Sequence, residues 1–148
     1  MRKNKKTNNN PGLKTISIHH GENFSKETGC VMPPIFTTST FKYGNKGNFD
    51  YTRSGNPNFN ILENVLKKIE DTNYCTVFSS GIAAITAITS SLKSGDTILC
   101  EANLYGCTIR MFEKVFKKFG LKTIYCDFTK KDSLKYIGRY NPALIWLE

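Results

Sequence analysis

Tyr74-Cys75-Thr76-Val77-Phe78-Ser79-Ser80-Gly81-Ile82-Ala83-Ala84 is the stretch on which the fold is decided. Five β-favouring residues, Tyr74 to Phe78, predict a strand. The run Ile82-Ala83-Ala84-Ile85-Thr86-Ala87-Ile88 that follows is apolar nearly all round and predicts a buried helix to about Leu92. A strand that delivers Ser79-Ser80-Gly81 onto a helix N-terminus aims free backbone N–H groups and the positive end of the helix dipole at one spot. That spot suits a phosphate. Glycine permits close approach and the serine hydroxyls add donors. A serine here also caps a helix when no anion binds, so the stretch needs support from the rest of the chain.

Outward from this centre, strands and helices alternate. On the C-terminal side, Lys93-Ser94-Gly95-Asp96 turns into a strand at Thr97–Cys100. A helix is expected over about Thr108–Phe119, with Ile109, Phe112, Val115, Phe116 and Phe119 on one face and Gly120 as its stop. Lys122–Cys126 reads as a strand, Leu134 and Ile137 mark a short amphipathic helix, and Ala143–Leu147 is a further strand. On the N-terminal side, Asn56-Pro57 pairs an N-cap with proline at the first helical position, opening a helix to about Glu70. The alternation predicts an α/β fold: a three-layer αβα, mostly parallel sheet with helices on both faces. Ligands of such sheets sit beyond the carboxyl ends of the strands. The loops holding Ser80-Gly81 and Tyr105-Gly106 should therefore open onto one crevice.

Three segments follow from this reading. Residues 1–12, Lys/Asn-rich and ending in Pro11-Gly12, read as a disordered basic tail. Residues 13–56 lack sustained periodicity and are expected to be an extended arm, which needs a surface such as a neighbouring subunit to lie on. Residues 57–148 read as the first part of an α/β domain. Because the chain stops at Glu148, directly after an apolar strand, that domain reads as incomplete.

Composition narrows the function classes. The net charge is +9, four of these charges come from Arg2, Lys3, Lys5 and Lys6, and no basic stripe interleaved with aromatics follows, so nucleic acid is not an expected partner. The five cysteines form no Cys-x-x-Cys pair and read as free thiols of a reducing, cytoplasmic compartment. Only His19 and His20 could join them on a metal, and both are remote in sequence, so no metal site is expected. Asn23-Phe24-Ser25 matches a glycosylation acceptor by chance on this reading. No apolar run reaches the length of about 18 residues that a membrane span needs.

Two further features bear on a site. In Asp50-Tyr51-Thr52-Arg53-Ser54-Gly55-Asn56-Pro57, extended backbone would put Tyr51 and Arg53 on one face, where phenol and guanidinium can grip one anion. In Leu104-Tyr105-Gly106-Cys107-Thr108, Tyr105 offers an aromatic face at a strand–helix turn. Each feature alone is as readily packing or surface.

Taken together they are more specific. Asp50-Tyr51-Thr52-Arg53-x-x-Asn56-Pro57, Ser80-Gly81-Ile82-Ala83-Ala84, Gly95-Asp96 and Tyr105-Gly106-Cys107-Thr108-x-Arg110-x-Phe112 resemble the Cys/Met-metabolism family of pyridoxal-phosphate (PLP) enzymes. Thr28-Gly29-x-Val31-x-Pro33-Pro34-Ile35 and Ser39-Thr40-Phe41 resemble the family's opening. The likeness covers about residues 15–148, roughly the first third of a family chain. It implies pyridoxal 5'-phosphate as cofactor and a sulfur amino acid or activated homoserine as substrate, with elimination or replacement at Cβ or Cγ after loss of the α-proton. It implies that Ser80, Gly81 and Ile82 hold the phosphate of their own subunit's cofactor. Tyr51 and Arg53 would reach in trans to that of a neighbour in a homo-oligomer, a dimer of dimers. Tyr105 would stack on the ring and serve in proton transfer, and Glu148 would lie in a motif near the substrate. Asn58, Ile82 and Cys107 depart from the pattern, where threonine, methionine and a second glycine are usual. Cys107 reads as a buried bystander.

The cofactor's Schiff-base lysine and ring-nitrogen acid come later in family chains than position 148, and no lysine here is assigned that role. The resemblance leans to a cystathionine lyase. The alternatives are cystathionine γ-synthase or an O-acylhomoserine sulfhydrylase, a catalytically inactive remnant, and a phosphate-binding α/β module unrelated to PLP.

Overall fold

Thr97-Ile98-Leu99-Cys100-Glu101 forms β1, the middle strand of a parallel sheet in the order β2-β1-β3, with β2 at Lys122–Cys126 and β3 at Leu144–Trp146. Ile98, Leu99 and Cys100 are all fully buried, as a continuous apolar run demands of a strand covered on both faces. The computed structural model describes residues 11–19 and 29–148. Two compact units, Met1–Val77 and Phe78–Glu148, divide the chain. The sheet belongs to the second.

Within that unit, α3 (Gly81–Ser90) leads through a short turn into β1, α4 (Gly106–Lys114) joins β1 to β2, and α5 (Lys135–Tyr140) joins β2 to β3. The two crossovers leave the sheet in opposite directions along the strand order. The right-handed rule therefore places α4 and α5 on opposite faces. Ile98 and Cys100 pack with Met111, Phe112 and Phe116 in the core, flanked by Ile82 and Ile85 of α3. Phe112 meets the Trp146 ring edge-on at 6.1 Å. Leu99, next in the pleat, faces the other way and is buried too.

Three expectations need correction here. The strand expected at Tyr74–Phe78 is absent: these residues pair with no strand among the described residues, and without a partner's ladder an extended run is not a strand. The helix expected to Phe119 ends at Lys114 and gives way to a 3₁₀ turn at Phe116–Phe119. Tightening from 3.6 to about 3 residues per turn rotates the end of the apolar face outward, so Phe116 stays buried while Phe119 is 66% exposed. Gly120 then stops the turn in the left-handed region at φ 85°, where a Cβ would collide with Ser94 Oγ. The third correction concerns α3, which is only flanked and not enclosed: Ile82 and Ile85 pack on the core, Ile88 is exposed and Thr89 alone is fully buried. Thr89 satisfies its hydroxyl by donating to the Ile85 carbonyl at 2.8 Å.

The first unit holds α1 (Leu13–His19), a helix where extended backbone was expected, which packs on α2 (Pro57–Ile69). Buried Asn56 caps α2 by accepting the Asn58 N–H at 2.9 Å and spends its amide on Thr52 Oγ1 at the same distance. Residues 29–56 remain irregular but are not unsupported. Thr40 and Tyr51 form an antiparallel bridge, and Asn45 ties the intervening loop through four hydrogen bonds. Residues 1–10, His20, the Asn23–Ser25 acceptor and Thr28 lie outside the described residues.

Candidate functional site

At the start of α3, Ser80 is extended (φ −160°, ψ 159°) and its Oγ accepts the Ala83 N–H at 3.1 Å, while its carbonyl accepts that of Ala84 at 3.1 Å. The helix thus satisfies its third and fourth N–H groups itself. Among the described residues Gly81 and Ile82 are left as donors with no partner, and a Cβ placed on Gly81 would meet nothing within 4 Å. Two N–H groups at the positive end of an exposed helix start are therefore unpaired among the described residues. At 10 residues α3 is about 15 Å long and runs back along β1, so its N-terminus lies at the carboxyl end of the sheet.

The N-terminus of α4 lies at that same end, directly after β1. Leu104 is buried and anchors the loop, and Glu101 ties it further by accepting the Ala102 N–H at 2.8 Å and, from across the sheet, the Phe128 N–H at 2.8 Å. Tyr105 occupies the N-cap position of α4 and makes no side-chain cap, which leaves its ring 62% exposed. The capping is done from a distance. Glu148, just past β3, accepts the Tyr105 N–H at 2.7 Å, the Thr108 hydroxyl at 2.7 Å and the Trp146 indole N–H at 3.1 Å. Desolvation pushes the Glu148 carboxyl up, but those hydrogen bonds outweigh it and hold the carboxyl below the usual range. A depressed carboxylate contributes fully above its unfolded pKa and is lost only as pH falls through its folded one, so this contact is intact at neutral pH.

Cys107 is half-buried beside Tyr105. A hydrogen bond from the Tyr105 hydroxyl, then one from the Arg110 guanidinium at 3.0 Å, pull its thiol down. The same contact pushes the Tyr105 hydroxyl up. Cys107 is therefore no bystander: it shares a hydrogen-bonded chain with the exposed tyrosine.

Tyr51 and Arg53 lie in the first unit and are adjacent, but for a different reason from the one expected. The backbone is not extended there: Ser54 and Gly55 N–H groups both return to the Tyr51 carbonyl, making a tight turn. Arg53 instead lies over the Tyr51 ring at 5.1 Å, and both side chains are exposed. Asp50 braces the turn from the Tyr51 N–H at 2.6 Å and the Ser54 hydroxyl at 3.0 Å, contacts that keep its carboxyl low. Asn58, where threonine was usual, uses both ends of its amide on Phe36, donating to the carbonyl at 2.8 Å and accepting the N–H at 3.0 Å. A threonine hydroxyl lacks that two-point grip.

Against known proteins, the model of the Cys/Met-metabolism PLP-dependent enzyme family matches residues 14–148. The chain belongs to this family. It is 40% identical over 138 residues to cystathionine gamma-lyase of Homo sapiens, covering 90% of this chain and 34% of that one. To a probable cystathionine gamma-synthase of Herpetosiphon aurantiacus it is 34% identical over 140 residues, covering 93% of this chain and 44% of the other. The crystal structure of cystathionine gamma synthase from Xanthomonas oryzae pv. oryzae, solved with aminoacrylate and cysteine, superposes with a TM-score of 0.83 at 32% identity, covering 91% of this chain and 36% of that one. The chain thus spans about a third of the human relative's length. Family membership carries PLP as the cofactor and the PLP-dependent transferase type of α/β fold.

Among the described residues no group of three His, Cys, Asp or Glu could hold a metal ion, and no helix is long and apolar enough to cross a membrane. Sequence reasoning missed Glu101, and it placed Glu148 near the substrate without its hold on the Tyr105 loop. Glu101 and Glu148 act on backbone 27 and 43 residues away, and nothing local in the sequence signals such partners.

Proposed function

We propose that this chain supplies the phosphate-holding and ring-stacking half of the site in a PLP-dependent enzyme that cleaves cystathionine or a related sulfur amino acid. The observation that carries the reading is the pair of N–H groups on Gly81 and Ile82 that have no partner among the described residues, at an exposed helix start. Two oriented donors on a positive helix end, with the Ser80 hydroxyl proton beside them, suit a phosphate. When bound, PLP supplies an electron sink for removal of the substrate's α-proton.

The chain's residues then divide the work. Ser80, Gly81 and Ile82 fix the phosphate, and Tyr105 stacks on the ring. With its hydroxyl pushed up by Cys107, Tyr105 keeps its proton at neutral pH and holds it at the hydroxyl oxygen for delivery. Tyr51 and Arg53 project from the first unit as a cation–phenol pair suited to a phosphate. They act on the cofactor of a neighbouring subunit in a homo-oligomer, a dimer of dimers, with the arm of residues 13–56 packed on that neighbour. Five free cysteines fit a reducing, cytoplasmic setting.

A lyase is favoured over a synthase by the 40% identity to the human cystathionine gamma-lyase. The test is to give the complete native protein cystathionine and, separately, an O-acylhomoserine with cysteine, and to follow thiol and acyl acid. Release of cysteine from cystathionine in the first reaction supports the lyase. Loss of cysteine and release of the acyl acid only in the second makes it a synthase.

A further inference from the structure

We propose that Glu148 is a positioning residue for Tyr105: its carboxylate pins the Tyr105 backbone and Thr108 hydroxyl to the end of β3 and so sets the angle at which the tyrosine ring faces the site. This rests on the proposed role of Tyr105 but concerns a contact of its own. Four observations bear on it. Tyr105 is the N-cap of α4 and offers no cap of its own, so the first turn of α4 is held by a residue just past another strand, β3. The carboxylate bridges the cap residue and the residue three later, both at 2.7 Å, in the manner of a capping box whose acceptor is supplied across the sheet. Trp146 donates to the same carboxylate at 3.1 Å and packs edge-on against fully buried Phe112 at 6.1 Å, so Glu148 is itself oriented by the core. Finally, the Tyr105 ring is 62% exposed, so among the described residues its direction rests largely on its backbone and on the contact of its hydroxyl with Cys107.

Losing the carboxylate therefore frees the ring without emptying the core. In Glu148→Gln one oxygen becomes an NH₂ that faces a donor, and the charge at the helix end is gone. Thr108→Val removes the hydroxyl at nearly constant volume.

The test uses the complete native protein with Glu148→Gln, Thr108→Val and the double variant. Without cofactor, hydrogen–deuterium exchange should show the Tyr105 amide exchanging about tenfold faster in Glu148→Gln, with the unfolding midpoint little changed. With PLP bound, the circular dichroism of the cofactor band should weaken and kcat should fall about tenfold at unchanged KM. The double variant should be no worse than Glu148→Gln, since both remove one unit. Unchanged amide exchange and unchanged dichroism in Glu148→Gln would overturn the proposal, as would strictly additive effects. If no PLP binds at all, the proposed function fails, while the exchange result still decides whether Glu148 holds Tyr105.

Discussion

Arg53→Ala in the complete native protein is expected to raise the Kd for PLP by about 10- to 100-fold. A guanidinium on a phosphate makes charge-assisted hydrogen bonds of about 1.5–3 kcal/mol, which converts to that range. Arg53 is exposed, and among the described residues it meets the Tyr51 ring and the charge of exposed Asp50, so the substitution leaves no buried group unpaired and the fold should stand. Tyr51→Phe keeps the ring under the guanidinium and removes one neutral donor, with an effect of about fivefold. Arg53→Lys should recover part of the loss, since a point charge replaces a fork. Spectroscopic titration with PLP measures all three. The trans role has a separate signature: neither Arg53→Ala nor Tyr105→Phe subunits need be active alone, but their mixture regains activity, because a hybrid interface pairs an intact Tyr105 with a neighbour's intact Arg53. A Kd unchanged in Arg53→Ala removes this residue from the site.

Phe112→Ala should cost about 3–5 kcal/mol, the usual toll of emptying a buried aromatic position. Phe112 is fully buried between the sheet and α4 and loses its edge contact with Trp146 as well. Against a total stability of about 5–15 kcal/mol, this moves the denaturant midpoint of the complete native protein far down. Phe119→Ala is the matched control. Its ring is 66% exposed at the end of the 3₁₀ turn, and its loss should shift stability by about 0.5 kcal/mol or less. The sequence places both rings on one face, so equal costs for the two would mean that the helix runs on unbroken to Phe119.

That pair also shows where the sequence was legible. Ile98-Leu99-Cys100 reads as a buried strand because a continuous apolar run has few other uses, and β1 is where it was expected. Asn56-Pro57 announces α2 by local chemistry, and the buried Asn56 cap confirms it. The α/β alternation carried the parallel sheet and the common end at which Ser80 and Tyr105 both lie. What failed was relational. Tyr74–Phe78 has strand composition, but a strand exists only with a partner, and composition names none. The seven-residue α1 is too short for a periodic signal and depends on packing against α2. Tyr51 and Arg53 were paired for the wrong reason, since a turn and a cation–π contact do what extended backbone was expected to do. The grip of Glu148 on Tyr105 crosses 43 residues and emerges only once β3 is laid beside β1.

The central claim is that the N-terminus of α3 holds the cofactor phosphate through backbone donors, and Gly81→Pro addresses it most directly. Position 81 is the first residue of the helix, where proline is accommodated, and extended Ser80 before it already has the backbone a proline demands. The substitution deletes one N–H and leaves the helix intact; by stiffening the unfolded chain it should raise stability by about 0.4–1 kcal/mol. PLP affinity should move the other way, falling about tenfold or more as one phosphate donor is lost from the site. Equilibrium PLP binding, measured beside the unfolding midpoint of the same variant, reads both. A more stable protein that binds PLP less tightly is the predicted result. A Gly81→Pro protein that is folded and binds PLP as tightly as before would contradict the account.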